Sequence, residues 1–359
     1  MMRPIVAIRN QRTDTKQPPA YRLLSMLLVF SCLLPFNHLS AQDIHFSQFN
    51  FSPLNQNPAN TNFFDGDFRF IGNYKNQWPT VPVRFNTFSA SAEMNFVTLN
   101  NGDRVGGGFV FFFDRAGDSR FTALNAALSV AYMKTLDKQQ HHALSLGIQF
   151  GIVNRSFSYN KLYFDNQWNG DTYDPTIAID ENFTRTKFNF FDLNLGIAYR
   201  WKKTDRTNVT VGFSVAHLSQ PSQTYFNDQS VKLNLRYTAH VRAQVKVSKR
   251  VDLVPELMFQ RQDVKQEVDF GLHAKYYLPV KIAHTIALNL GAYGRMVDAG
   301  WLFAGMDFDN LQVNLSYDIN FTKLTAASRY NGGFEASVIY ILARVKKINK
   351  PGAVCPTFL

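Results

Sequence analysis

His141, His142, Ser145 and Asn154 lie close together in the chain, and a hydroxyl beside an imidazole is the minimum a nucleophilic hydrolase needs. The residues around them alternate between apolar and polar, the pattern of a strand, whose successive side chains point to opposite faces. His142 and Ser145 therefore cannot meet. His141 and Ser145 share a face but stand roughly 13 Å apart at about 3.3 Å per residue, whereas a nucleophile and its base need to approach within about 3 Å. The stretch from Tyr159 to Lys187 carries Asp165, Asn169, Gly170, Asp171 and Asp174, a sparse echo of a calcium loop. Counting from Asp165, the twelfth position is Thr176 rather than the bidentate glutamate such a loop requires, so we read a solvated acidic loop. Gly106-Gly107-Gly108 sits inside a strand pattern with no helix after it, which suits a bend in a sheet and not a phosphate cradle. Cys32 and Cys355 are the only cysteines, and Cys32 falls in a leader, so neither a disulfide framework nor a cysteine metal site is available. No catalytic, cofactor-binding or metal-binding residue is assigned, and no small-molecule substrate is expected.

What these residues need is something to position them, and the clearest element is Val231 to Ser248. Apolar residues occupy every odd position and Lys232, Asn234, Arg236, Thr238, His240, Arg242, Gln244, Lys246 and Ser248 every even one. Such a strand would run roughly 60 Å at about 3.3 Å per residue, with one oily and one basic face. That suits the wall of a transmembrane β-barrel, lipid on one side and water on the other; a long hairpin in a soluble sandwich is the competing reading. Lys232, Arg236, Arg242 and Lys246 are candidates to line an anion-attracting lumen. They can equally pair with Asp192, Asp252, Glu256 and Asp269 on neighbouring strands, and pairing is preferred because charges in a crowded interior are usually paired.

Strand patterns recur at about 67–77, 86–97, 104–113, 121–134, 143–158, 187–201, 207–217, 231–248, 251–261, 265–278, 284–295, 300–308, 311–321 and 335–344, with no amphipathic helix between them. An even number of strands is what a single-chain bacterial outer-membrane barrel has. The longest connections, about 159–186, 218–230 and 322–334, are all odd-numbered, whereas 202–206, 248–250 and 309–310 are short and even-numbered. Short periplasmic turns opposite longer external loops are the asymmetry of such barrels, and a sandwich offers no reason for it. The expected fold is therefore all-β: a transmembrane antiparallel β-barrel of about 14 strands, with an irregular N-terminal segment packed on or in it. Pro255 within a strand predicts a bulge. Val110 to Phe113 and Ser337 to Leu342 are apolar on both faces, so their inner faces are expected to meet plugging material or a partner.

Composition agrees. The chain of 359 residues is rich in Phe (33) and Tyr (15), as interfacial girdles require, and its mean hydropathy of −0.20 hides lipid-facing residues in alternation. Of the net charge of +11, Arg3, Arg9, Arg12, Lys16 and Arg22 against Asp14 belong to the first 41 residues. The remaining basic residues are spread along strand faces and turns with no tract, which argues against nucleic-acid binding. The basic stretch to Arg22, the apolar run Leu23 to Leu34 and Leu39-Ser40-Ala41 form a secretory signal peptide, with cleavage expected between Ala41 and Gln42; Cys32 lies inside the apolar run and fits a lipobox poorly. The expected organisation is a signal peptide at 1–41, an N-terminal segment at 42–66, an outer-membrane barrel at 67–344 and a C-terminal tail at 345–359. The N-terminal segment is dense in Asn, Gln and Phe, and Pro53 and Pro58 bar regular structure through it.

The elements Phe46-Ser47-Gln48, Asn57-Pro58-Ala59, Asp67-Phe68-Arg69 and Tyr74-Lys75-Asn76-Gln77-Trp78, followed by Phe113-Asp114-Arg115-Ala116-Gly117, Ala131-Tyr132 and Cys355-Pro356-Thr357-Phe358, resemble the PorP/SprF family of outer-membrane proteins of the type IX secretion system of Bacteroidota. The likeness runs over the whole mature chain. One departure is Asn60-Thr61-Asn62, where the pattern has a glycine soon after Asn-Pro-Ala. The resemblance implies a barrel without catalytic activity or cofactor. Its partners would be proteins of the secretion apparatus, periplasmic components included, and a large secreted adhesin whose secretion or surface attachment it assists, including adhesins of gliding motility. Phe46, Ser47, Gln48, Asn57, Pro58, Gln77 and Trp78 are its motif residues and candidate partner contacts. A passive outer-membrane channel or hydrophobic-solute transporter is the alternative.

Overall fold

A computed structural model describes residues 43, 45–79, 85–160, 162–181, 183–226, 228–279, 284–321 and 329–343. The expected signal peptide, its cleavage point at Ala41 and Gln42, Cys355 and the tail from 345 lie outside the described residues.

Fourteen strands follow one another in chain order: β1 (Phe68–Gln77), β2 (Phe85–Thr98), β3 (Arg104–Ala116), β4 (Phe121–Thr135), β5 (His142–Ser156), β6 (Lys187–Thr204), β7 (Thr207–Ala216), β8 (Arg236–Lys246), β9 (Val251–Gln262), β10 (Lys265–Tyr277), β11 (Ile286–Arg295), β12 (Ala299–Phe308), β13 (Leu311–Asn320) and β14 (Asn331–Leu342). Each pairs antiparallel with its neighbours in sequence, and β14 returns to β1 through Phe68↔Leu342 to Gln77↔Gly333, closing the barrel. Closure leaves no edge strand, so the ladder N–H and C=O groups of every strand face a neighbouring strand, as a bilayer demands. The even count places the odd-numbered connections at one end and the even-numbered ones, together with the start of β1, at the other. The first end carries the stretches after β5 and β7 and is the long-loop end; the second is the short-turn end.

The alternation in sequence becomes two surfaces. On β5, Leu146, Phe150 and Ile152 face outward, while Ala143, Ser145, Gln149 and Val153 are buried facing the lumen. Outward tyrosines near the strand ends keep an apolar ring toward lipid and a hydroxyl on a polar partner: Tyr132 donates to Asp103 at 2.7 Å and Tyr317 to Asn331 at 2.7 Å.

Two expectations need correction. The strand predicted over 231–248 is only Arg236–Lys246. Val231 to Leu235 belong to the preceding loop, where Leu233 is buried against Val153, Phe188 and Phe190; at the far end Val247 and Ser248 both donate to the Val251 carbonyl at 3.0 Å in a tight turn. An extended loop in which one of three apolar residues, Leu233, finds a cluster carries the same alternation as a strand. Pro255 makes no bulge. Its pairing with Leu272 of β10 keeps register, and toward β8 the partners step from Arg242↔Glu256 to Val245↔Leu253 in the same register. The ladder loses contacts opposite the proline without gaining a residue.

Candidate functional site: the filled lumen

The N-terminal segment occupies the interior of the barrel. Proline at the first position of two short turns, Pro53–Gln56 and Pro58–Asn60, supplies a fixed φ where no backbone N–H is needed, and the chain between the turns is too irregular to form a helix or strand. Its course is read from its wall partners. Asp43 meets Arg155, Arg236 and Gln262 at the long-loop end of β5, β8 and β9. Asn73 near the middle of β1 donates to the Phe51 carbonyl at 3.0 Å, and Gln149 of β5 to that of Leu54 at 3.3 Å. Lys202 reaches Asp65 at 2.6 Å at the short-turn end. The segment thus descends the whole lumen before entering β1. We call it the plug.

Asn57-Pro58-Ala59 is its keystone. Asn57 Oδ1 accepts from the Ala59 N–H at 2.8 Å, closing the turn, while its amide donates to the carbonyls of Ile197 at 3.0 Å and Phe213 at 3.3 Å. Gly147 and Gly196 are cross-strand partners directly beneath. A Cβ on Gly147 would run into the Pro58 carbonyl and one on Gly196 into the Asn57 side chain. The wall glycines are therefore the space into which the motif fits. Phe49 and Phe51 pack with Ile71, Trp301, Phe303 and Ile339, with Ile341 alongside, and Leu54 packs with Val110 and Ala127. The strands that are apolar on both faces do meet plugging material.

Charged groupings hold the segment along its length. Glu335 accepts from the backbone N–H groups of Ser47 and Gln48, each at 2.8 Å, and Ser47 Oγ donates to Asp318 at 2.5 Å. Lys75 stands 3.8 Å from Glu335 and donates to Ser47 Oγ at 3.2 Å. Arg69 bonds Glu93 through Nε and Nη2, each at 2.7 Å, and also donates to the Asn60 carbonyl at 3.0 Å. At the long-loop end His217 lies between Asp43, which it touches through Nε2, and Asp192, 3.0 Å from Nδ1. Burial opposes ionisation at both members of the first pair. The mutual attraction of Asp43 and His217 outweighs it, with Arg236 and Arg155 also acting on Asp43. The carboxyl is held well below its usual range and the imidazole above its own. His45, pushed down to about 3 by burial despite Glu267, stays neutral at physiological pH.

Of the residues singled out from sequence, Phe46, Ser47, Gln48, Asn57 and Pro58 are buried inside the lumen against the wall. Gln77 ends β1 at the long-loop end, and Trp78 follows it in a positive-φ turn, stacked edge-on against Phe85 at 4.9 Å. Lys232 is exposed in the loop before β8 and Lys246 is exposed at its end, whereas Arg236 and Arg242 face inward and are paired, with Asp43 at 3.4 Å and Glu256 at 2.9 Å. Asp252 and Asp269, proposed as strand-face partners, pair instead with Arg206 and Arg295. Ser145 donates to the Ala59 carbonyl at 2.7 Å and so is a plug contact. In the acidic loop, Asn169 accepts from the N–H groups of Asp171 and Thr172, and Asp174 from Thr176, so these side chains brace their own turns. Asp43, His217, Arg155, Lys75 and Glu335 were not singled out. Lys75 sits in phase with the inward Ile71 and Asn73 of β1, and Glu335 with the inward Gly333 and Ser337 of β14, which is the signal that marks them.

Above the lumen, the β5–β6 and β7–β8 connections form one unit. Phe157 packs on Phe183 at 4.8 Å and Tyr225 at 4.6 Å, and Arg185 donates to the Thr224 carbonyl at 3.0 Å. Tyr163 (78 % exposed) and Trp168 (58 %) project from it.

Among solved structures, the fold is similar to the toluene transporter TbuX of Ralstonia pickettii, with TM-score 0.50 and 9% identity over 83% of this chain and 95% of that one. A Pseudomonas aeruginosa FadL homologue matches with TM-score 0.45 and 11% identity over 79% of this chain and 92% of that one. BamA from Haemophilus ducreyi lacking POTRA domains 1–3 matches at 0.40 and 8% over 77% and 70%. No curated protein matches. The likeness to TbuX shows the same barrel fold, and a closed barrel with an apolar outer wall is the form that spans the outer membrane. The model of the type IX secretion system membrane protein family PorP/SprF matches residues 38–340, and the chain belongs to that family.

Proposed function

We propose that this barrel is a non-enzymatic type IX secretion component that assists the secretion or surface attachment of a partner adhesin, in a role related to gliding motility. It binds protein partners at its two ends. The observation that carries this reading is the plug, bonded to the wall along the whole lumen, which leaves the ends rather than a through-passage as the working surfaces. Short turns face the periplasm and long loops the outside in such barrels, so the Tyr163 and Trp168 platform is presented to secreted partners. Tyrosine and tryptophan are the side chains that most often anchor protein interfaces. The motif residues Phe46, Ser47, Gln48, Asn57 and Pro58 act through plug seating, and Gln77 and Trp78 stand closer to the outer surface. The passive channel or hydrophobic-solute transporter is the second reading, favoured by cavities of about 90 and 380 Å³ at the two ends of the lumen. Deleting the protein and measuring adhesin in the medium and on the cell surface tests the proposal: both should fall, and unchanged secretion and display would sink it. Crosslinked pull-down from the outer membrane should bring down the adhesin or periplasmic components.

A further inference from the structure

The larger of the two cavities, about 380 Å³, opens at the short-turn end beneath the plug. That is within the size of ordinary ligand sites, about 300–1,000 Å³. Its floor is apolar, built by Phe51, Phe63 and Phe64 of the plug with Ile71, Ile339 and Ile341 of the wall. Its sides carry Arg69, Arg200, Lys202, Arg242 and Lys275. The guanidiniums of Arg69 and Arg200 lie over the rings of Phe64 and Phe63, at 4.5 and 4.7 Å, which fixes them to the floor.

The acids that balance these cations are mostly set behind them. Arg242 exposes 39% of its side chain and its partner Glu256 only 2%; Lys275 exposes 22% against 14% for Asp307, and Arg69 11% against 0% for Glu93. For the other two cations the acids face the cavity: Asp65 and Asp205 hold Lys202 at 2.6 and 2.8 Å, and Asp65 also pairs with Arg200 at 3.7 Å. Arg242 and Lys275 thus present cation toward the opening with their counter-charge in the wall, beside the exposed edge of the largely buried apolar floor.

We propose that this vestibule binds a polypeptide segment in which carboxylates alternate with large apolar side chains, presented from the short-turn side. The carboxylates meet Arg242 and Lys275, and the apolar side chains lie on the phenylalanines and isoleucines of the floor. The proposal rests on the reading of this barrel as a partner-binding component and names the chemistry of one partner contact.

The test uses whole mature barrel in phosphatidylcholine nanodiscs and a dansyl-labelled peptide of alternating aspartate and phenylalanine, followed by anisotropy. A lysine–phenylalanine peptide of equal length is the control. The acidic peptide should bind at least tenfold more tightly than the basic one and weaken with added salt. Replacing Arg242 would strand the buried Glu256 and risk the fold, so the diagnostic variant is Asn208→Glu with Gln312→Glu. It adds carboxylates to the lining while leaving every ion pair in place, and it should cut affinity at least tenfold in a barrel that remains heat-modifiable. Equal binding of the two peptides, or unchanged affinity in the variant, would overturn the proposal. So would displacement of the peptide by an equimolar amount of free laurate, which would assign the cavity to a lipid anion. None of these readouts involves secretion, so a failure here strikes the vestibule and leaves the proposed function to its own test.

Discussion

His217, pinned between Asp43 and Asp192, fixes how the upper part of the plug responds to pH. Its affinity for a proton is higher in the folded barrel than in the free side chain. Its contribution is therefore complete below the unfolded value, about 6.5, and is lost as pH rises through the raised folded value. Asp43 runs the other way: its contribution is present above the ordinary carboxyl value and is lost only as pH falls toward its depressed one. The latch is tightest between these limits and loosens in alkali. A spin label at Asn55→Cys, which lies beside Asp43, His217 and Arg236, should become more mobile as pH is raised through the imidazole's raised value. With His217→Gln the label should be mobile at every pH and its profile flat; a flat profile with His217 present would refute the latch. None of this was legible in the sequence. The segment carrying Phe46, Ser47 and Gln48 stood out by composition, but its partners Asp318 and Glu335 lie at sequence separations of 271 and 288, where no period connects them.

Strands were the legible elements, because alternation of apolar and polar residues is both the sequence signal and the physical requirement of a wall between lipid and lumen. Leu311 to Asn320 and Lys265 to Tyr277 are strands close to where the pattern ends. The pattern overran where an extended loop copied it, at Val231 to Leu235, and it could not say that the wall keeps register past a proline without an inserted residue. The two glycines at 147 and 196 read only as spaces; that they face each other across β5 and β6 and receive Asn57 and Pro58 is a matter of register, which alternation does not encode. Loop length, in contrast, predicts sidedness. Thr172 sits exposed in the β5–β6 connection, so Thr172→Cys should be labelled by a membrane-impermeant maleimide on whole cells. Protection of that cysteine in intact cells, with labelling after lysis, would mean that the barrel is inverted or that a partner covers the loop.

As a whole molecule the protein is a wall and a filling that are separate in sequence and inseparable in space. A hydrophilic lumen of this kind without its filling would be a water-filled channel. The intact barrel should therefore show no steady conductance in planar bilayers, while removal of residues 43–64 should give an open conducting state if the wall still closes. Steady ion flow through the intact protein would favour the channel reading.

The first residues of the plug donate to a carboxylate 288 positions later, on the strand that also seals the wall. A chain made from its N-terminus therefore contains the filling long before it contains the carboxylate that holds it. The pairing of β14 with β1 that closes the barrel also brings Glu335 to the N–H groups of Ser47 and Gln48. A folding intermediate lacking β14 would leave Ser47, Gln48 and Lys75 without Glu335, so assembly of this protein reports its own completion.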